Sequence, residues 1–398
     1  MCLKINLAKP LSRKGKIKKE NFCYSARNSI HNINLCAMKL KIALLLFVFV
    51  SGNLFSQNKY RLKNFSTTDG LSQSSVIAIH QDKFGQMWFG TRDGLNKYDG
   101  SRFTIFRNEA PNKYSISNND ILAIEEDNSG KIWVGTYNGL NCYDPVSNRF
   151  TRYLHTKTNH TISNNAVWSI KEIGGEMWFG TSKGLTIYNK KSGLFTSVFH
   201  SDDDASTLPS NNILSIIKTK NGAVWIGTTK GLCQLTSRKN GKLSFKNYPL
   251  NASDLLNVQS VIEEKDGSLW VGTKNKGLLK FDQKQKAFVS FLSAEKYREI
   301  NTDIRSLVID NQGSLWIGAY DGIYILGQDK SLQKINNTNN NNGIDKVKSV
   351  FMDKKGSIWI GCYYKGVNLW DISNVNFSNY NQNSKKIPMS FDVVSSII

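Results

Sequence analysis

The sequence predicts an all-β fold: a seven-bladed β-propeller of four-stranded antiparallel blades, with the start of an eighth repeat at the C-terminus. Three observations predict it. A glycine, two residues, a tryptophan, an aliphatic or aromatic residue and a second glycine recur seven times, around Trp88, Trp133, Trp178, Trp225, Trp270, Trp316 and Trp359. Successive tryptophans lie 45, 45, 47, 45, 46 and 43 residues apart, the spacing of propeller blades. Each interval holds four short β patterns separated by turn residues.

The second repeat displays the unit. Ile121 to Ile124 is an apolar run, and Asp127, Asn128, Ser129 and Gly130 form a turn. Lys131 to Thr136 is the tryptophan strand, Gly139 opens a third strand through Leu140 and Tyr143, and Arg149 to Tyr153 alternates as a fourth. The first glycine of each phrase suits the positive φ of a hairpin turn, and the second lets neighbouring backbone approach closely. The seven tryptophans are expected to fill the sheet-to-sheet interfaces, because a blade buries its faces only against its neighbours. Asp82, Asp127, Asp310 and Asp353 stand six residues before a tryptophan, with Glu172 and Glu264 at the same place in two other repeats. Recurrence at a turn points to side-chain bonding of turn backbone, not to acid/base catalysis, which needs unique positions.

Two strands compete for the last outer edge. Val375 to Tyr380 reads as the fourth strand of the seventh blade, and Tyr60 to Phe65 also resembles a fourth strand. A ring accepts one of them. The expectation is that Val375 to Tyr380 completes the seventh blade, leaving Tyr60 to Phe65 for a joint or a second ring. Phe391 to Ile398 matches Leu255 to Ile262 in register, so 386–398 is read as the truncated start of another repeat.

The N-terminal part reads differently. Residues 1–37 look like an upstream extension. Met38 to Lys41 is a basic n-region, Ile42 to Val50 an apolar h-region, and Ser51 to Ser56 a small polar c-region. Nine apolar residues are too few for a permanent span, so 38–56 is read as a secretory signal peptide and 57–385 as the propeller.

The formal net charge is +21. Residues 1–56 contribute +9 of it, ten Lys or Arg against Glu20, and the rest is spread along the propeller with a run of no more than a few like charges. Diffuse basicity speaks against a nucleic-acid reader, which clusters its charge. Of the six cysteines, Cys142, Cys233 and Cys362 fall in separate blades, with no Cys-x-x-Cys or Cys/His spacing; buried free thiols are expected, and no metal. His80, His155, His160 and His200 form no pair at a metal spacing, and no nucleophile elbow or phosphate loop is visible. No catalytic residue and no cofactor is assigned.

The phrase Asn-x-Ile-x-x-Ile-x-x-Asp-x-x-Gly-x-Ile-Trp-Val-Gly-Thr-x-x-Gly-Leu, Asn119 to Leu140, resembles the two-component regulator propeller repeat. Phe65 to Ser72 is similar to that family's lead-in to its first blade, and the resemblance covers Asn58 to the last residue. It implies the periplasmic sensory part of a hybrid histidine kinase, anchored in the inner membrane through parts outside this chain, which carries no kinase module of its own. It also implies an oligosaccharide or polysaccharide breakdown product as ligand.

Within the chain, scaffold is restated while loops are individual, as expected where binding sits on loops carried by rigid sheets. The loops between second and third strands supply the candidate ligand residues: Arg92, Asp93, Tyr137, Asn138, Lys183, Lys230, Lys274, Tyr320, Asp321, Tyr363 and Tyr364. Tyrosine, amide and cationic side chains suit a hydroxyl-rich or anionic ligand. Two rival readings remain. One is a non-catalytic envelope platform that docks a protein, a second propeller or a second copy of the chain. The other is a propeller lyase or glycosidase.

Overall fold

The computed structural model describes residues 62–158, 160–249, 256–289, 300, 303–335 and 344–373. These lie in one unit, Tyr60–Ile398. Seven four-stranded antiparallel sheets follow one another in chain order, so the expected blade count and strand count both hold. The second repeat forms Ile121–Glu126, Ile132–Thr136, Gly139–Asp144 and Arg149–Tyr153. The first helical feature is a single 3-10 turn, Thr67–Asp69, capped by Ser66.

Each turn before a tryptophan strand needs a left-handed residue. Gly85, Gly130, Gly222 and Gly356 have φ of 86°, 86°, 86° and 93°, where a Cβ would be strained. The second glycine acts by size instead. A Cβ on Gly90 would meet Ile121 at 2.7 Å, and one on Gly361 would meet the Val76 carbonyl at 2.9 Å. The latter contact joins the seventh blade to the first, so the ring closes.

The core is a set of seven clusters, one per blade interface. Trp88 packs with Ile121, Ile132 and Val134 of the next blade, and Trp225 with Val258, Leu269 and Val271 of the one after it. All seven tryptophans are at most 6% exposed, which places them in the core as expected.

Recurrent acids do more than bond their turns. Asp82 Oδ1 accepts from the backbone N–H groups of Phe84 and Gln86, while Oδ2 accepts from Trp88 Nε1 at 2.9 Å. Asp127, Asp310 and Asp353 accept from Trp133, Trp316 and Trp359 at 3.0, 2.9 and 2.9 Å. The expectation fails for Glu172 and Glu264. Glu172 Oε2 accepts from Asn128 N in the preceding blade and its Oε1 from Lys190; Glu264 Oε2 accepts from Ser268 Oγ and Lys280. The extra methylene carries the Glu172 carboxylate to the neighbouring blade, while Glu264 meets a side chain of its own turn in place of the backbone. Trp178 and Trp225, preceded by Glu172 and Thr219, keep a buried Nε1 with no hydrogen-bond partner.

Ring closure corrects the sequence reading. The outer strand of the seventh blade is Leu62–Phe65, paired antiparallel with Val367–Trp370 so that Leu62 opposes Trp370 and Phe65 opposes Val367. Phe65 explains the choice. It stacks on Trp359 at 5.8 Å and meets the Tyr98 ring edge-on at 5.3 Å, bridging the last and first blades. Asn64 Nδ2 donates to the Lys365 carbonyl at 2.8 Å and to Asn368 Oδ1 at 3.1 Å. Val375 to Tyr380, 386–398 and the leader 1–56 lie outside the described residues.

Candidate functional site at the mouth of the central channel

Every inner strand carries the same irregularity near its start. In the first blade Val76 pairs with Thr91 and Ala78 with Gly90, so one residue is skipped. The same one-residue shift occurs at Ile121/Ala123, Val167/Ser169, Ile213/Ser215, Val258/Ser260, Ile304/Ser306 and Val347/Ser349. A bulge removes one residue from the ladder and re-aims its side chain. The skipped residues are Ile77, Leu122, Trp168, Leu214, Gln259, Arg305 and Lys348.

All seven line one cavity of about 460 Å³. One residue from each blade meets around the ring axis, so the cavity is the mouth of the central channel. The residue before each bulge is Val or Ile and is buried against the preceding blade. The bulged position itself ranges from leucine to lysine. Scaffold and site therefore sit at adjacent positions.

The rim comes from the loops between second and third strands. Arg92, Tyr137, Thr229, Lys274 and Tyr363, each the first residue of its loop, line the cavity together with Asp120, Asn212 and Asn257. Their backbone is tied down. The N–H groups of Tyr137, Thr229, Lys274 and Tyr363 donate to the carbonyls of Asp120, Asn212, Asn257 and Lys346. A threonine ahead of most loops fixes the turn: Thr91 Oγ1 donates to the Gly94 carbonyl at 2.9 Å and accepts from Asp93 N at 3.0 Å.

The other candidate residues fall elsewhere. Asp93 pairs with Arg107 at 3.0 Å, and Asn138 Oδ1 accepts from Asn165 Nδ2 at 3.0 Å. Asp321 accepts from Tyr324 Oη at 2.6 Å and Lys334 Nζ at 2.8 Å. Lys183, Lys230, Tyr320 and Tyr364 are not among the lining residues; Tyr320 and Tyr364 are 48% and 66% exposed. Reasoning on loops alone missed Trp168, Gln259, Arg305 and Lys348. The available signal was variation one residue after the invariant-looking Val or Ile of each first strand.

Charge is distributed unevenly around the cavity. Arg305 is held by Asp303 through Nε and Nη2. Lys348 Nζ lies 4.4 Å from the Tyr363 ring centre and the Arg92 guanidinium 5.5 Å from it. Burial pushes Lys348 down to about 8, with Arg305 acting in the same direction, Asp303 against it, and Arg92 and Lys274 again lowering it. Asp120 is raised by burial and opposed by Arg92. Trp168 Nε1 donates to Ser182 Oγ at 2.8 Å, which sets the indole's orientation.

Elsewhere two of the histidines have structural partners. His155 and His200 contact the carbonyls of Ile162 and Leu208 through Nδ1. Cys142, Cys233 and Cys362 are free and buried, with thiols pushed up by burial. Among the described residues no group of three or more His, Cys, Asp or Glu is placed to hold a metal ion. Among them also, no helix is long and apolar enough to cross a membrane.

Comparison with known proteins adds three findings. The model of the two component regulator propeller matches residues 70–93, 115–138, 207–230 and 299–321, which fall in the first, second, fourth and sixth repeats. A curated relative, histidine kinase P4 of Formosa agariphila, is 52% identical over 363 residues, 89% of this chain; the chain spans only 26% of that relative's length. Among solved structures, the extracellular domain of the hybrid two component system BT3049 from B. thetaiotaomicron is similar at TM-score 0.68 and 26% identity, covering 85% of this chain and 45% of that one. Virginiamycin B lyase from Staphylococcus aureus aligns at TM-score 0.60 with 11% identity, over 79% of this chain and 100% of that chain. At that identity the likeness shows the fold alone.

Proposed function

From a chain that belongs to the two-component regulator propeller family, we propose a periplasmic ligand sensor whose binding site is the channel mouth and whose ligand is glycan-derived. The observation that carries this reading is the set of seven bulges. Each blade repeats the scaffold yet turns one non-repeated side chain toward a common cavity, as expected of a site assembled on a rigid frame. Trp168 and Tyr137 supply aromatic faces for the apolar side of a sugar ring, and Asn257, Gln259 and Asn212 supply amides for hydroxyl groups.

Export through the leader 38–56 delivers the propeller to the periplasm with Gln57 as its first residue. Ligand occupancy is then passed to a histidine kinase, the activity named for the relative at 52% identity. A rigid ring suits this role: it binds on one face without melting and transmits through whatever it is attached to.

Binding of oligosaccharides to the full chain, followed by calorimetry, tests the reading. Trp168→Ala should weaken binding at least tenfold with little change in melting temperature, since the indole lines the cavity instead of a blade interface. Unaltered binding in this variant would remove the site from the channel mouth. A second reading, docking of another envelope protein, a second propeller or a second copy, is favoured by the exposed Tyr320 and Tyr364 on neighbouring loops. Concentration-dependent association lost on Tyr364→Ser would select it.

A further inference from the structure

The cavity is divided by charge. Blades six and seven contribute Arg305 and Lys348 from their bulges, and the fifth and first blades add Lys274 and Arg92 from the rim. These four blades are consecutive around the ring. The opposite arc, from the second to the fourth blade, contributes Leu122, Trp168 and Leu214 at the same bulged positions. The cations gather on one side of a single cavity, and the opposite side is apolar and aromatic at its bulged positions, with Asp120, Asn212 and Thr229 at its rim.

The cations are brought together at a cost. Arg305 alone has a carboxylate fixed against it, from Asp303. Among the described residues no ion pair engages Arg92, Lys274 or Lys348. Lys348 is instead flanked by the Tyr363 ring, which it shares with Arg92. Like charges this close in a partly desolvated site repel one another, and burial strengthens the repulsion. The lowering of Lys348 by Arg305, Arg92 and Lys274 is that repulsion seen at one group. An anion between them would relieve it and gain charge-assisted hydrogen bonds from guanidinium and ammonium donors. A neutral ligand would leave the repulsion in place.

We propose that the ligand is an acidic oligosaccharide, carrying a carboxylate or sulfate that lies between Arg305, Lys348, Lys274 and Arg92 while an apolar sugar face rests on Trp168. The assignment rests on the channel mouth being the sensory site and adds the ligand's charge and orientation to it. Carboxylate and sulfate present the same feature, two or three anionic oxygens on a tetrahedral or planar centre, and the four donors accept either. Orientation follows from the arcs: the charged substituent points to blades five, six, seven and one, and the ring face to blade three.

The test is calorimetry of the full chain with three probes of equal length: an oligogalacturonate, a sulfated galacto-oligosaccharide and a neutral galacto-oligosaccharide. At least one acidic probe should bind tenfold or more tightly than the neutral one, with affinity falling as sodium chloride rises. Arg305→Gln and Lys348→Met should each weaken that binding at least tenfold, whereas Lys183→Met, outside the cavity, should not. Should either cavity variant misfold, the salt dependence and the acidic-to-neutral ratio of the unmodified protein still decide the matter. Equal or tighter binding of the neutral probe overturns the charge assignment and leaves the sensory site standing. Acidic binding indifferent to Arg305→Gln and Lys348→Met overturns it as well. Absence of binding by all three probes overturns both the assignment and the oligosaccharide reading beneath it.

Discussion

The side chain six residues before a tryptophan decides whether its indole is anchored, as the pairs Asp127/Trp133 and Glu172/Trp178 show. Asp six residues before the tryptophan reaches both its turn and the indole; Glu172 reaches across to the preceding blade, and Thr219 Oγ1 bonds its own turn at the Ala223 carbonyl, 2.9 Å away, without reaching the indole. The fourth-blade turn is otherwise like the others, with Thr219 N donating to the Ala223 carbonyl and Gly222 N to the Thr219 carbonyl. Thr219→Asp should therefore give Trp225 Nε1 its missing acceptor and raise stability by about 1 kcal/mol, measured by urea denaturation; a lower stability would mean that the indole cannot meet the carboxylate. His80 is a second residue with a defined consequence. Burial lowers it from 6.5 to about 4, with Lys171 and Lys354 adding to the shift against Asp82, and its Nε2 has no partner. The unfolded chain takes up a proton near pH 6.5 and the folded one resists until about 4, so this group's stabilisation is complete above 6.5 and lost as pH falls toward 4. The loss approaches about 3 kcal/mol. His80→Gln should flatten the stability profile across that window, and an unchanged slope would assign the acid sensitivity to other groups.

Among the elements, the tryptophan strands were the most legible in the sequence, because their residues are fixed by two constraints at once. Trp225 fills an interface against Tyr248 and Phe281, with ring centres 5.4 and 5.2 Å away, and Gly227 must be small for the neighbouring strand to approach. Trp225→Ala should cost about 3 to 5 kcal/mol; an unchanged melting temperature would place the residue outside the core. Bulges were illegible. A one-residue skip in a strand of six leaves the apolar pattern nearly intact, so Arg305 and Lys348 read as ordinary polar positions on an inner strand. Four of the eleven candidate loop residues, Arg92, Tyr137, Lys274 and Tyr363, line the cavity: chain position identified the loop, but only backbone geometry decides that Arg92 faces the cavity while Asp93 turns outward to Arg107.

For the whole molecule, closure joins segments some 300 residues apart, and no local signal chooses between two alternating strands. Leu62–Phe65 wins that edge because Phe65 fits between Trp359 of the seventh blade and Tyr98 and Phe103 of the first, a contact between the chain's two ends invisible in one dimension. Phe65→Ala should loosen the ring at its seam, lowering stability by about 3 to 5 kcal/mol and raising hydrogen exchange in Val367–Trp370 before other blades. A closed ring in turn makes the channel mouth a fixed constellation, since all seven bulges are held by neighbours on both sides. That constellation as the ligand site is the central claim, and Trp168 reports on it directly. Of the nine tryptophans it alone lines the cavity. The decisive measurement is intrinsic fluorescence of the full chain titrated with an oligosaccharide that binds it by calorimetry. A ligand at the channel mouth gives a saturable change that disappears in Trp168→Phe; a change of the same size in that variant would place the ligand elsewhere and contradict a channel-mouth site.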